Sequence, residues 1–221
     1  TIAGAGGVSV SGTYPAFTIT GTGGSETDPE VSSSTINSVP KWNGTTLVDG
    51  LLFDDGNNIG IGTTTPLFKL DVSGDASINS VRIGRGNGGQ SGNTAIGTQA
   101  LNANSVGDFN TAIGYQALKS NSTGGLNTAN GYQALLSNTV GTLNTAVGSF
   151  SLAANTIGNS NNALGEYALG GNTNGSSNNA IGNNAAQANT TGSSNTAIGD
   201  NALNTNTTGS NNTAIGAGAN V

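Results

Sequence analysis

Asn110–Leu126 reads NTAIGYQALKSNSTGGL, and Asn127–Leu143 reads NTANGYQALLSNTVGTL, the same phrase restated 17 residues later. Followed outward in both directions, the phrase begins at Asn93, Asn110, Asn127, Asn144, Asn161, Asn178, Asn195 and Asn212. Seven full copies and a partial eighth fill residues 93–221 without one slip of spacing. The consensus is N-T-A-I-G-x-x-A-L-x-x-N-x-x-G-x-x, with Ala at position 3 and Gly at position 5 in all eight copies. A helical repeat needs about 33 residues for its two helices, and Gly and Asn at this density would cost each helix several kcal/mol. Seventeen residues instead suit one coil of a parallel β-solenoid, expected as two strands of about four residues and two turns. Coils stacked about 4.8 Å apart place every side chain on its counterpart in the previous coil, and the copies together predict a rod of roughly 38 Å.

Stacking explains the residue choices. The Gly at position 5 and the second Gly column, Gly107 to Gly209, suit turns that need positive φ or close backbone approach. The Asn column from Asn93 to Asn212 and its companion from Asn104 to Asn206 are expected to form amide ladders bonded to the coils above and below. A Lys or Asp column would stack like charges at about 4.8 Å, whereas neutral amides bond to each other at that distance. Ala95 with Ile96, Ala112 with Ile113 and Ala197 with Ile198 are apolar neighbours, so both strand faces are expected to be covered. Ala100 with Leu101 and Ala117 with Leu118 predict the same in the second half of the coil. One face fills the coil's own core; the simplest cover for the other is a second copy of the chain, which predicts a homo-oligomer. Asn130, standing where Ile is usual, is expected to be a buried polar residue that meets its symmetry mates around an axis, or an isolated defect.

Composition narrows the function. Of 221 residues, 37 are Gly, none is Cys, His or Met, and 7% are charged. The absence of His and Cys excludes zinc sites, thiol nucleophiles and Ser-His pairs, and residues 93–221 carry only Asp108, Lys119, Glu166 and Asp200 as charges. Asp54 and Asp55 are the only adjacent carboxylates, in a turn, so no enzyme activity is expected. A net charge of −6 with no basic stripe argues against nucleic-acid binding, and no apolar run approaches the roughly 18 residues of a membrane span. Lack of an initiator Met and a signal peptide implies a mature product or a piece of a longer chain.

Upstream, residues 1–24 alternate around the turn GTYP and predict a β-hairpin; residues 25–38 read as a polar linker. Residues 39–84 supply the only Trp and short strands joined by Gly and Asn turns, with Phe68, Leu70 and Val72 alternating against Lys69 and Asp71 as a half-buried strand. Residues 85–92 read as a Gly-rich flexible junction. Within it GRGNGG, residues 84–89, matches a phosphate-binding spacing but lacks the helix that would follow. DDGNN, residues 54–58, lacks the ligand spacing of a calcium loop. No cofactor or metal is expected.

NTAIGYQAL, NTAVGSFSL and NTAIGDNAL resemble the head repeats of trimeric autotransporter adhesins, the YadA-like heads. The resemblance spans residues 93–221 and implies a left-handed parallel β-roll, three chains side by side, and an adhesive role. VPKWNGTTLVDG followed by NIGIGTTTPLFKLDVSG is similar to a segment of phage tail fibres. Together the two imply a fibre exposed outside the cell, most simply on a virion tail, with a bacterial surface adhesin or extracellular filament as the alternative. Two columns are candidate contact surfaces. Tyr115, Tyr132, Phe150 and Tyr167 form an aromatic strip suited to a host glycan or protein. Thr94, Thr111, Thr128, Thr145, Thr196 and Thr213, interrupted by Asn162 and Asn179, form an array of the kind used by ice-binding proteins, although Thr is also a good strand former.

Overall fold

A computed structural model of the chain describes residues 8–13, 16–21, 37–43 and 47–220, with side chains over 37–43 and 48–220. The expected linker lies almost wholly outside the described residues. Among those described, the protein is all-β, without a helix, and divides into one unit ending at Ser73 and a second beginning at Gly74.

In the first unit, β1 (Val8–Thr13) and β2 (Ala16–Gly21) form an antiparallel hairpin in which Thr13 faces Ala16. Two-residue strands β3 (Lys41–Trp42) and β4 (Leu47–Val48) pair antiparallel. β5 (Leu52–Asp54), β6 (Ile59–Ile61) and β7 (Leu70–Val72) make a three-stranded sheet, antiparallel then parallel. β7 begins only at Leu70, which is exposed, while Asp71 and Val72 are half-buried and Phe68 lies outside the strand. The expected alternation therefore fails at Phe68 and Leu70, which are exposed as Lys69 is, and at Asp71, whose carboxylate accepts the Leu67 N–H at 3.0 Å, while Val72 is half-buried as expected.

The second unit is the solenoid. Its sheet holds β8 (Ala76–Ile78), β9 (Val81–Gly84), β10 (Thr94–Ile96), β11 (Thr111–Ile113), β12 (Thr128–Asn130), β13 (Thr145–Val147), β14 (Asn162–Leu164), β15 (Asn179–Ile181), β16 (Thr196–Ile198) and β17 (Thr213–Ile215) in chain order. From β10 to β17 every pair is parallel and in register: Thr94 faces Thr111, Ala95 faces Ala112, Ile96 faces Ile113. Alternation along each three-residue strand sends the Ala inward, fully buried from Ala95 to Ala197, and its two neighbours outward.

The second half of each coil is not the second strand that the repeat length suggests. It is a run of tight turns: the Ala117 N–H donates to Gly114 O at 3.4 Å and the Asn121 N–H to Leu118 O at 3.2 Å. Positions 7 and 9 take left-handed backbone, Gln116 at φ 59° and Leu118 at φ 49° in this coil, with the same pattern in the others. Alternating handedness swings consecutive side chains to one side. Ala117 and Leu118 are accordingly both fully buried, as are Ala100 and Leu101, so neither Leu needs cover from outside. The core is a stack of two Ala columns and a Leu column, closed by bonds such as Leu118 N–H to Ala134 O at 3.1 Å.

Residues 74–92 close one end of this stack. β9 runs antiparallel to β10, whereas all later neighbours are parallel. Asp75 holds the closing segment by accepting the Arg85 N–H at 2.7 Å and the Gly86 N–H at 3.0 Å, with Arg82 Nε at 3.5 Å. The Asn87 N–H then donates to Leu101 O at 3.1 Å. Gly86 (φ 80°) lies flat on the first coil, where an added Cβ would come 2.5 Å from the Leu101 Cβ. Residues 85–92 are thus laid down on the solenoid, and Gly86 and Gly88 of GRGNGG are there for close approach to the first coil.

Candidate functional site

Three sets of side chains leave the solenoid core. On the strand face, Thr at position 2 and Ile at position 4 point outward on either side of the buried Ala, so the two columns run side by side over eight strands. Ile96, Leu164, Ile181, Ile198 and Ile215 are exposed, and Ile113 and Val147 half-buried. Among the described residues of the solenoid unit, nothing covers this face. Asn130 lies on it in register between Ile113 and Val147 and is exposed in the single chain. Asn162 and Asn179, which interrupt the Thr column, bond to each other through Nδ2 to Oδ1 at 2.8 Å.

The aromatic strip follows the turn after the strands. Tyr115 and Tyr132 stack with ring centroids 5.4 Å apart and planes 10° from parallel; Phe150 stacks on Tyr167 at 4.8 Å and 8°. Tyr132 meets Phe150 edge to face at 5.2 Å and 70°, which joins the two pairs although they occupy positions 6 and 7 of the repeat. Four coils thereby present one continuous ribbon of rings. Beside its first half runs a Gln ladder, Gln116 Nε2 to Gln99 Oε1 at 2.7 Å and Gln133 Nε2 to Gln116 Oε1 at 2.8 Å. Apolar ring faces next to amide donors and acceptors match the two kinds of surface that a sugar presents.

The third set was legible as a column but not singled out: Phe109, Leu126 and Leu143 at position 17 are exposed, and the column continues as Ser160, Ser177 and Ser194. All six have φ between 56° and 61°, which turns them away from the core. The signal available was the change from apolar to Ser at one repeat position midway along the array.

Both Asn columns point inward. The Asn110 N–H donates to Asn93 Oδ1 at 2.7 Å, and its Nδ2 donates to Gly124 O at 2.9 Å. Asn121 Nδ2 bonds to Asn104 Oδ1 at 3.0 Å and to the same Gly124 O at 2.9 Å. Each Gly of the second column thus offers one carbonyl to two buried amides. Only Gly fits there, since a Cβ on Gly107 would lie 2.6 Å from Asn104 Oδ1. These ladders hold coils together and are closed to ligands.

The remaining motifs are structural. In DDGNN, Asp55 accepts the Asn58 and Asn57 N–H groups at 2.6 and 2.8 Å, and these bonds hold its carboxyl below its ordinary 3.8. Asp54 accepts the Gly56 N–H at 2.8 Å. Both carboxylates serve as turn caps. Among the described residues no group of three metal-ligating side chains comes together, and no helix is long and apolar enough to cross a membrane. Comparison with protein families, with characterised proteins and with solved structures returns no match.

Proposed function

We propose that the chain is a non-enzymatic structural and adhesive fibre acting outside the cell, a segment of a virion tail fibre that attaches to a host surface through a stiff homotrimeric rod. The observation that carries this reading is the outward Thr/Ile ladder of eight strands, a regular face with exposed apolar side chains and no cover among the described residues of its own unit. An exposed patch of this extent marks an interaction surface, and three copies of one chain set face to face about an axis cover it with the fewest distinct parts. The resemblance to YadA-like heads supplies the number three and the left-handed coil. In that arrangement three Asn130 side chains meet in an otherwise apolar seam and set its register, as a single buried Asn does between coiled helices.

The aromatic strip is the contact proposed for a host glycan or protein, with weak contacts multiplied by three chains. Light scattering of the purified chain is expected to give the mass of three copies; a monomer would sink the reading. Replacing both Tyr115 and Tyr132 by Ser is expected to abolish attachment to host cells while the mass stays that of three chains. A second reading draws on the regular outward Thr column, whose spacing offers hydroxyls to a crystal lattice such as ice. Thermal hysteresis by the intact chain, absent in a Thr128→Lys variant, would decide for it. Placement of the same fibre on a bacterial surface is the alternative if its gene adjoins an export or anchoring function.

A further inference from the structure

An asparagine amide is most open to attack by the next backbone nitrogen when Gly follows it, because Gly brings no Cβ to shield that nitrogen. The chain contains four such pairs: Asn43–Gly44, Asn87–Gly88, Asn130–Gly131 and Asn174–Gly175. Gly44 lies outside the described residues. The other three differ in what surrounds the attacking nitrogen. The Gly131 N–H donates to Ile113 O at 2.9 Å and would have to give up that bond between coils. Gly175 is buried, which keeps water from its N–H. Asn87 and Gly88 are both exposed, and the Gly88 N–H makes no hydrogen bond among the described residues. The Asn87 amide is also held by a cation. Arg82 Nη2 donates to its Oδ1 at 3.0 Å, while Nη1 reaches Ala100 O at 3.4 Å and Nε lies 3.5 Å from Asp75 Oδ2. A guanidinium fixed by those other contacts sits on the oxygen where negative charge gathers when a nucleophile adds to Asn87 Cγ, which is the geometry of an oxyanion site.

We propose that Asn87–Gly88 is a self-modifying site, at which Asn87 converts to aspartate and isoaspartate through a cyclic imide and so releases the closing segment from the first coil. Hydroxide takes the Gly88 N–H proton, and the nitrogen adds to Asn87 Cγ while Arg82 steadies the oxyanion. The Cγ–Nδ2 bond then breaks, Nδ2 takes a proton from water and leaves as ammonia, and a succinimide remains. Water opens this ring at Cγ to give aspartate, or at the backbone carbonyl carbon to give isoaspartate, whose main chain runs through Cβ and Cγ. The sum is water taken up and ammonia lost. The consequence follows from where the pair sits. The Asn87 N–H donates to Leu101 O at 3.1 Å, Asn104 Nδ2 donates to Asn87 O at 3.2 Å, and Asn87 Nδ2 donates to Asn102 O. Conversion removes the Nδ2 donor. Isoaspartate also lengthens the main chain directly before Gly88, which fits so closely that an added Cβ would come 2.5 Å from Ser105 O.

Peptide mapping by mass spectrometry, on the full chain aged in mildly alkaline buffer with and without denaturant, gives the conversion rate at each pair. Denatured, Asn87, Asn130 and Asn174 should convert at similar rates, since each is followed by Gly. Folded, Asn130 and Asn174 are expected to slow by about tenfold or more while Asn87 keeps most of its denatured rate, and Arg82→Gln should slow Asn87 by about tenfold. Hydrogen exchange of the converted chain should show lost protection at Asn87 and Gly97, whose N–H groups bond across the closing segment and the first coil. An Asn87→Gln chain aged in parallel should not change. Equal slowing of all three sites on folding overturns the proposal, as does conversion that leaves those two amides protected. An Arg82→Gln chain that converts as fast as the unaltered one overturns the part given to Arg82. Should that variant lose the closure, the folded-to-denatured ratio at the three sites of the unaltered chain decides.

Discussion

Leu135 stands at φ 51°, a conformation that costs an L-residue roughly 1–2 kcal/mol, yet the same position is left-handed in all seven complete coils. The reward is full burial of the side chain, worth about 1.5–3 kcal/mol. Burial wins by a narrow margin, so truncation should be costly: Leu135→Ala is expected to destabilise its neighbourhood by about 2–4 kcal/mol, read as lost amide protection in the coils on either side. Ser151 offers the opposite case. Its Oγ is buried without a hydrogen-bond partner at a position that is Ala in the other coils, as in Ala134 and Ala168. Ser151→Ala should stabilise by about 1 kcal/mol or more in denaturant titration, and a loss of stability would mean that the hydroxyl has a partner. At this scale the sequence was only half legible. Gly at position 5 announced its positive φ, and Gly97 indeed has φ 138°. Gln, Leu and Phe at left-handed positions announced nothing, because their intrinsic preference is for other backbone and only the stack overrides it.

The element of this protein is the coil. Its strand arm was readable, since Ala beside Ile in a two-residue period must send one inward and one outward. The second arm was not: Ala beside Leu looks identical in sequence, and left-handed backbone at the residue before the Ala and at the Leu itself reverses the geometry. Two variants probe the coil. An added Cβ at Gly141 would come 2.5 Å from Gly158 O, so Gly141→Ala should force two coils apart at a cost of about 1–3 kcal/mol and lower the melting temperature. Ile181 is exposed in the single chain, so Ile181→Asp should keep the β circular-dichroism signal while dissociating the proposed trimer to monomers. An unchanged mass would place the self-interface elsewhere. The upstream strands were legible as short strands with Gly and Asn turns, but the exposure of Leu67 and Phe68 depends on a distant bond, Asn58 to Pro66 O, that no local pattern reveals.

For the whole solenoid, stability is a sum of coil terms and nearest-neighbour interfaces. β10 has partners on both sides, β9 and β11, whereas β17 pairs with β16 alone. Hydrogen exchange should therefore run as a gradient in this chain, slowest around Ala146 and Ala163, still slow at Ala95 and fastest at Ala214. Equal protection at the two ends would contradict it. The repeat frame was legible in full from the 17-residue spacing, because a parallel stack has no other way to superimpose like on like.

Near-identical coils carry a hazard of their own in the proposed trimer: a chain displaced by one whole repeat against its sisters would meet almost the same chemistry, with Asn130 the single polar mark along the outward Ile column. The antiparallel closure by β9, with the Asp75 carboxylate clasping Arg85 and Gly86, occurs once. In the proposed trimer it would act as an origin mark, from which three growing threads can count their turns in step.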